Sequence, residues 1–191
     1  MINDIFSTPV YKTNVDNFQS IQTEIEDTVD ILGDSFGMRE DWGTTHYISD
    51  VTFSDNIIEE CGMNILEKEI LKHIQGYRKH TPFGNKFSRY SLVGDAHITA
   101  SWLTRFEKGN FSSIHDHGMD DISGCYYYKT SGKDGDFFYE SSSPWGGRVN
   151  VPPEEGQLLL FPSWMKHGVL SNDTESVRMS LAFNVVFERA R

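Results

Sequence analysis

The chain has 191 residues, of which 38% are hydrophobic, and its 28 acidic and 17 basic residues give a net charge of −11. This length and composition fit one folded domain with a sizeable core, and the acidic excess argues against nucleic acid as the main partner. No apolar run approaches the roughly 20 residues that cross a bilayer, and the first residues do not resemble a signal peptide, so we expect no membrane insertion and a cytoplasmic location.

The N-terminal third predicts one strand followed by helices. The stretch "TPVYKTNV" alternates as a strand does, and apolar residues at helical spacing predict a helix between Asp16 and Gly33. Asp16 with Gln19 fits a capping box. The same spacing over residues 55–78 predicts a second helical region, with a division at Gly62-Met63.

From about residue 90 the pattern changes to short strands separated by turns. Strands are predicted near residues 95–106, 112–118, 122–129, 135–141, 156–162, 167–171 and 176–187. Short strands without intervening helices favour an antiparallel sandwich or barrel. We therefore predict a single domain, residues 1–191, in which residues 1–85 supply a strand and supporting helices. Residues 86–191 form the β-sheet core, with the helices covering one outer face.

Three histidines are candidates for one metal site. In an extended strand, residues i and i+2 project to the same face, so His115 and His117 can bind one ion while Asp116 points away. His167 begins another predicted strand about fifty residues later. Imidazole nitrogens suit divalent transition metals. The remaining histidines are expected to be structural: His46, His73, His80 and His97.

The last predicted strand places an arginine inside the sandwich. One face of this strand carries Arg178, Ser180, Ala182 and Asn184, and the apolar residues between them face the helices. A buried guanidinium is costly unless an anion pairs with it. A ligand carboxylate held by Arg178 and Ser180 would satisfy this need, although a salt bridge to the loop with Glu154 and Glu155 is an alternative. A metal together with a buried cation suits a small dicarboxylate that chelates the metal through one end.

These motifs together resemble a known family. The segments "WLTRFEKGNFSSIHDHGMDDISGCYYYK", "LLLFPSWMKHGV" and "VRMSLAFNVVF" are similar to the Fe(II)- and 2-oxoglutarate-dependent oxygenases, and more narrowly to the 2OG-Fe(II) oxygenase group of bacteria and marine phages. The resemblance implies a double-stranded β-helix (a cupin-like jelly roll) over residues 86–191. It also implies Fe(II) as cofactor, with 2-oxoglutarate and O2 as cosubstrates. His115 and His167 match the family's metal-binding histidines, and Arg178 and Ser180 match the residues that bind the far carboxylate of 2-oxoglutarate.

The resemblance adds one candidate residue and raises one question. "SGCYYYK" is similar to a strand of prolyl hydroxylases that supplies a tyrosine to the cosubstrate, which makes Tyr127 a candidate and turns Tyr126 and Tyr128 to the other face. The family's usual triad has a carboxylate two residues after the first histidine, where this chain has His117. We predict His117 as the ligand, with Asp120 or Asp121 as the alternative.

The predicted function is hydroxylation of an unidentified protein side chain or small molecule. Two alternatives stay open: a cupin-like three-histidine metalloenzyme that does not use 2-oxoglutarate, and a non-catalytic binding module on the same fold. The polar segment "DWGTTHYISD", residues 41–50, is expected to form a loop over the site. Trp102 and Trp164 fit either the core or the mouth of the site, and neither the primary substrate nor the oligomeric state is readable from the sequence.

Overall fold

The computed structural model describes residues 8–38, 45–49, 55–80, 94–118, 120–141 and 146–188. Within these residues it has three helices: α1 (Phe18–Leu32), α2 (Ile57–Glu60) and α3 (Asn64–His80). The strands are β1 (Tyr11–Asn14), β2 (Phe36–Met38), β3 (Tyr47–Ser49), β4 (Ala96–Phe106), β5 (Ser112–His115), β6 (Ile122–Lys129), β7 (Phe137–Glu140), β8 (Arg148–Val151), β9 (Gln157–Pro162), β10 (His167–Val169) and β11 (Arg178–Phe187). None of the described helices is both long and apolar enough to span a membrane.

The strands form two antiparallel sheets that pack as a sandwich. The larger sheet has the order β1-β9-β6-β11-β4-β3-β2, and the smaller has the order β5-β10-β7-β8. A buried aromatic and aliphatic cluster lies between them, with Phe106 and Tyr127 from the larger sheet against Phe137, Tyr139 and Val169 from the smaller. This arrangement confirms the predicted sandwich.

The helices pack on the outer face of the larger sheet. The period-2 alternation of β11 sends Leu181, Phe183 and Val185 to this face, where they join one buried cluster with α1 and α3. Tyr126 and the partly buried Tyr128 lie on the same face, whereas Tyr127 faces the interior of the sandwich. The predicted facing of the tyrosines and of β11 is therefore confirmed.

The predicted helices form, but one predicted cap is wrong. Helix α1 ends at Leu32, and the φ of 52° at its C-cap Gly33 lies in the left-handed region that favours glycine. Its N-cap is Asn17, which makes no side-chain cap hydrogen bond, so Asp16 and Gln19 do not form the capping box. Asp16 instead donates its backbone N–H to the carboxylate of Glu69 at 3.1 Å, which ties the start of α1 to α3.

Glu69 is the centre of a polar cluster between β1, α1 and α3. Its side chain is buried and receives hydrogen bonds from Lys72 at 2.9 Å and His73 at 3.0 Å, besides the N–H of Asp16. Burial alone would raise the pKa of Glu69, but these hydrogen bonds outweigh burial and lower the pKa to about 2. His73 also contacts Tyr11, so His73 has the structural role expected for it.

The main departures from the predicted strands are at the sheet edges. β5 ends at His115 rather than at residue 118, and three short strands were not predicted: β2, β3 and β8. β3 falls in the segment expected to be a loop, so that expectation is wrong for residues 47–49. Residues 41–44 and 50 of that segment lie outside the described part of the chain.

Candidate active site

Three histidine side chains meet at one end of the sandwich. His115 is the last residue of β5 and His167 is the first residue of β10, and the two are paired across the ladder. His117 follows β5 in the loop. One ring nitrogen from each histidine lies within 4.8 Å of the others, which is close enough for one metal ion to bind all three. The structure therefore brings together the three histidines that the sequence predicted.

His117 reaches this cluster by a route different from the one predicted. Because β5 stops at His115, strand alternation does not orient His117. Two backbone hydrogen bonds hold it instead. Its N–H donates to the carbonyl of Ser163 at 2.8 Å, and its carbonyl accepts the N–H of Asp120 at 3.0 Å. Asp116, which was expected to point away, lines the cavity, and its carboxylate accepts the N–H of Gly118 at 3.2 Å.

Backbone carbonyls fix the tautomers of two of these histidines. The Nδ1 atom of His115 lies 2.7 Å from the carbonyl oxygen of Ser113, and that of His167 lies 2.8 Å from the carbonyl oxygen of Met165. A carbonyl oxygen can only accept a hydrogen bond, so each Nδ1 carries the proton. Each Nε2 is then left with a lone pair, which is the arrangement typical of metal-binding histidines.

Burial keeps two of the imidazoles neutral. Burial, followed by the nearby charge of His115, lowers the pKa of His117 to about 4 and that of His167 to about 3. The ring of His167 is packed against Phe161 at 4.7 Å and Phe137 at 5.5 Å between centroids. Metal binding requires deprotonated imidazole, so these histidines are ready to bind at neutral pH without releasing a proton.

A cavity of about 290 Å³ extends from the histidines into the sandwich. The three histidines, Arg178 and Ser180 all line this cavity, and aromatic side chains such as Phe106 form much of its wall. Its volume is at the low end of the range for small-molecule sites. It can therefore hold a small ligand that contacts both the metal site and the arginine.

Arg178 is buried, with 1% of its surface exposed, and its hydrogen bonds are incomplete. It donates from Nη1 to the carbonyl of Gly135 at 2.6 Å, and its guanidinium carbon lies 4.1 Å from the ring centre of Phe106. Its Nε has no hydrogen-bond partner among the described residues. The alternative acidic partners are engaged elsewhere: Glu154 with Lys12 at 3.7 Å, and Glu155 with the N–H of Thr130 at 3.2 Å.

Hydroxyl groups surround the arginine. Ser180 Oγ lies 2.7 Å from Oγ1 of Thr104, a residue that sequence reasoning missed, and both line the cavity. Tyr127 lies behind this layer rather than on the cavity wall, with its ring centre 5.7 Å from the guanidinium carbon of Arg178. Burial raises the pKa of Tyr127 well above its ordinary value, so its hydroxyl stays protonated. No partner of this hydroxyl is found within the described chain.

The two aspartates considered as alternative ligands lie outside the histidine cluster. Asp120 accepts a hydrogen bond from the hydroxyl of Thr99 at 3.3 Å, and Asp121 accepts one from the N–H of Phe187 at 2.9 Å. Both carboxylates therefore support neighbouring strands.

His46, which was expected to be structural, is a cavity residue and lies in the segment 41–50 that was expected to cover the site. It is buried, it lines the cavity, and its ring stacks on Phe106 at 4.4 Å. Burial lowers its pKa to about 4. The pairing of β3 with β4 brings it there, and that long-range contact has no local signal.

Among the other expected structural residues, His97 pairs with Glu188, and the side chain of His80 lies outside the described part of the structure.

The two tryptophans have different positions. Trp102 lines the cavity, with its ring centre 5.8 Å from that of His117. Trp164 is half exposed in the turn between β9 and β10. Trp102 is thus the tryptophan that belongs to the site.

The residues present fit a metal ion and a carboxylate ligand. Two of the three clustered imidazoles have their Nε2 lone pairs available, and the buried Arg178 keeps a donor without a partner in the described structure. A metal ion would use the first feature and an anionic group the second. Both features face one cavity, so a single chelating anion can satisfy them together.

Comparisons with known proteins agree with this site. The model of a family described as "Putative 2OG-Fe(II) oxygenase" matches residues 100–184, which contain all three histidines, Arg178 and Ser180. No protein of curated function matches the sequence.

Solved structures of low sequence identity share the fold. A prolyl-4-hydroxylase from Pseudomonas putida has a TM-score of 0.65 at 15% identity, over 96% of this chain and 95% of that one. A prolyl hydroxylase from Trichoplax adhaerens, in complex with a hypoxia inducible factor peptide fragment, has a TM-score of 0.64 at 14% identity, over 93% and 83%. HygX from Streptomyces hygroscopicus, with nickel and 2-oxoglutarate bound, has a TM-score of 0.61 at 13% identity, over 94% and 83%.

These structures establish the double-stranded β-helix, and the family match covers the strands that line the cavity. Residues 100–184, which form most of the sandwich core, therefore match the 2OG-Fe(II) oxygenases, non-haem iron enzymes that use 2-oxoglutarate and O2.

Proposed function

We propose that the protein is a hydroxylase that couples the oxidative decarboxylation of 2-oxoglutarate to the oxidation of a C–H bond. The substrate is an amino-acid side chain of a protein or a small molecule. The observation that carries this proposal is the shared cavity of the three imidazoles and the buried Arg178. The two features match the two ends of 2-oxoglutarate, which chelates a metal through its 2-oxo acid end and carries a second carboxylate.

Each site residue has a role in this proposal. His115, His117 and His167 would hold Fe(II), with His115 and His167 offering Nε2. The guanidinium of Arg178 and the hydroxyl of Ser180 bind the far carboxylate of 2-oxoglutarate, because charge-assisted hydrogen bonds are the strongest available in a buried site. The buried hydroxyl of Tyr127 offers a further donor behind Arg178.

The chain contributes orientation and exclusion of water. Bound iron supplies the oxidising chemistry, in which 2-oxoglutarate, O2 and R–H become succinate, CO2 and R–OH. Three neutral histidines leave the positive charge of the ion uncompensated, which favours the dianionic cosubstrate. The aromatic wall, with Phe106, Phe137 and Phe161, keeps bulk water from the reacting groups.

Arg178 and Ser180 also favour this function over the two alternatives. A cupin-like enzyme that does not bind 2-oxoglutarate has no evident need for a buried cation in the wall of the cavity. A binding module without catalysis would not need to keep the Nε2 atoms of His115 and His167 available for a metal in the same cavity as Arg178. Binding of 2-oxoglutarate and a metal ion would give partners both to the buried guanidinium of Arg178 and to the available Nε2 atoms of the histidines.

Succinate release tests the proposal. The purified protein with Fe(II), O2 and 2-oxoglutarate should release succinate slowly without a primary substrate, and His167→Ala and Arg178→Ala should each reduce release to background. His97→Ala is the matched control, because this histidine is exposed and pairs only with Glu188 among the described residues. Release that survives both cavity variants, or no release from the wild type, would contradict the proposal.

We also propose that the enzyme acts in the cytoplasm. Both cysteines, Cys61 and Cys125, are free thiols, which agrees with a reducing compartment. The single-domain organisation and an origin among bacterial or phage proteins stay predictions.

A further inference from the structure

Three buried polar side chains form a chain of hydrogen bonds beside the metal site. Ser123 of β6 has its Oγ 2.8 Å from Oδ1 of Asn184 on β11, and 2.9 Å from Oγ of Ser163 in the turn after β9. All three residues are more than nine-tenths buried. Because the hydroxyl of Ser123 has one proton, it donates either to Oδ1 of Asn184 or to Oγ of Ser163 at any one time.

The larger sheet fixes this chain of side chains. Asn184 lies directly opposite Ser123 in the ladder between β11 and β6. Ser123 pairs with Phe161 in the ladder between β6 and β9, and Ser163, two residues further along, lies diagonally across from Ser123 within hydrogen-bond distance of its hydroxyl. Ser123 and Asn184 line the cavity, and Asn184 is six residues along β11 from Arg178. The chain therefore lies at a different part of the cavity from the arginine.

The turn that contains Ser163 contacts two of the three histidines. The carbonyl of Ser163 accepts the N–H of His117 at 2.8 Å, and the carbonyl of Met165 accepts the Nδ1–H of His167 at 2.8 Å. His117 has no ladder hydrogen bonds, since β5 ends two residues before it. The position of His117 thus depends on where the Ser163 turn is held.

We infer that the Ser163–Ser123–Asn184 chain is a positioning network for the metal ligands His117 and His167. This inference rests on the metal centre proposed above. Removing the hydroxyl of Ser123 leaves the hydroxyl of Ser163 and Oδ1 of Asn184 buried without their partner, so the turn relaxes and carries His117 with it. Loss of outer partners of metal ligands lowers metal affinity by roughly 10- to 100-fold.

The test is the Zn(II) affinity of the full chain, measured by competition with a chromophoric chelator. Ser123→Ala should lower the affinity about 10-fold, and Ser123→Thr, which keeps the hydroxyl, should restore it. Thr104→Val is the matched control, because it removes a buried hydroxyl from the same cavity at the Arg178 end. That control should weaken 2-oxoglutarate binding and leave the Zn(II) affinity unchanged.

Each outcome decides a separate point. Equal Zn(II) affinities for Ser123→Ala and Thr104→Val would overturn the positioning role. An equal loss in Ser123→Thr would also overturn it, because the hydroxyl would then not be the cause. His167→Ala must abolish tight Zn(II) binding, and if it does not, the metal centre itself is wrong. Should Ser123→Ala fail to fold, Ser163→Ala removes the same hydrogen bond from the other side.

Discussion

Replacing Arg178 with methionine should separate the binding of 2-oxoglutarate from the stability of the fold. Methionine keeps an unbranched apolar side chain and removes the charge and all donors. The far carboxylate of 2-oxoglutarate would then be buried without a cation. Truncating one partner of a buried, hydrogen-bonded charge pair costs about 2–5 kcal/mol, which is a loss of roughly 30- to 5000-fold in affinity.

The effect on the unliganded protein should be much smaller. Arg178→Met loses the hydrogen bond to Gly135 and the contact with the ring of Phe106, together worth about 1.5–3 kcal/mol. It also relieves the burial of a cation whose Nε has no partner in the described structure, a penalty of about 1–3 kcal/mol. The two effects nearly cancel, so the free energy of unfolding should change by no more than about 1–2 kcal/mol.

Calorimetric titration of the Zn(II)-loaded protein with two ligands makes this prediction specific. The first ligand is 2-oxoglutarate, and the second is 2-oxopentanoate, which has a methyl group in place of the far carboxylate. Arg178→Met should weaken binding of 2-oxoglutarate strongly and binding of 2-oxopentanoate little. Arg148→Met is the control, because Arg148 also lies over an aromatic ring but is exposed and pairs with Glu140.

Two results would refute the reasoning. Equal weakening of both ligands would show that Arg178 does not contact the far carboxylate. A loss of about 3–5 kcal/mol in the stability of the unliganded protein would show that a partner already satisfies the guanidinium, as in a complete buried ion pair.

Three further predictions concern the fold. Glu69 is protonated more readily in the unfolded chain than in the fold, so the free energy of unfolding should fall by roughly 2–3 kcal/mol between pH 5 and pH 2. In urea unfolding, Glu69→Gln should show a weaker dependence of this free energy on pH. The same pH dependence in the variant and the wild type would contradict the prediction. A Cβ on Gly168 would lie 2.8 Å from the carbonyl oxygen of Ser112, so Gly168→Ala should cost about 1–3 kcal/mol. Gly147→Ala, with open space around it, should cost almost nothing, and equal costs would refute the clash. If the chain is one domain, tryptophan fluorescence and far-ultraviolet circular dichroism should report the same unfolding transition, whereas two separate transitions would contradict a single domain.

Local patterns sufficed for the strands that form the sandwich core. β6 was predicted with its observed bounds, because its apolar run is flanked by turn residues on both sides. The alternation of β11 predicted that Arg178 and Ser180 face the interior, since the period of 2 holds through most of the strand. Where a strand is long and buried, its own sequence determines both its extent and its facing.

The contacts that complete the site are long-range and have no local signal. His117 is placed by the carbonyl of Ser163, and His46 is placed by the pairing of β3 with β4. The sequence therefore predicted which histidines meet, but it could not predict how the third one reaches the others.

The central claim is that three imidazoles bind one ion in the cavity that holds Arg178. An anomalous difference map of crystals grown with Fe(II) and 2-oxoglutarate, collected without oxygen, tests it most directly. We expect one iron peak about 2.1 Å from Nε2 of His115, His117 and His167, with the far carboxylate of 2-oxoglutarate against Arg178. A peak bound by a carboxylate of Asp116, Asp120 or Asp121 in place of His117, or 2-oxoglutarate turned away from Arg178, would contradict the account.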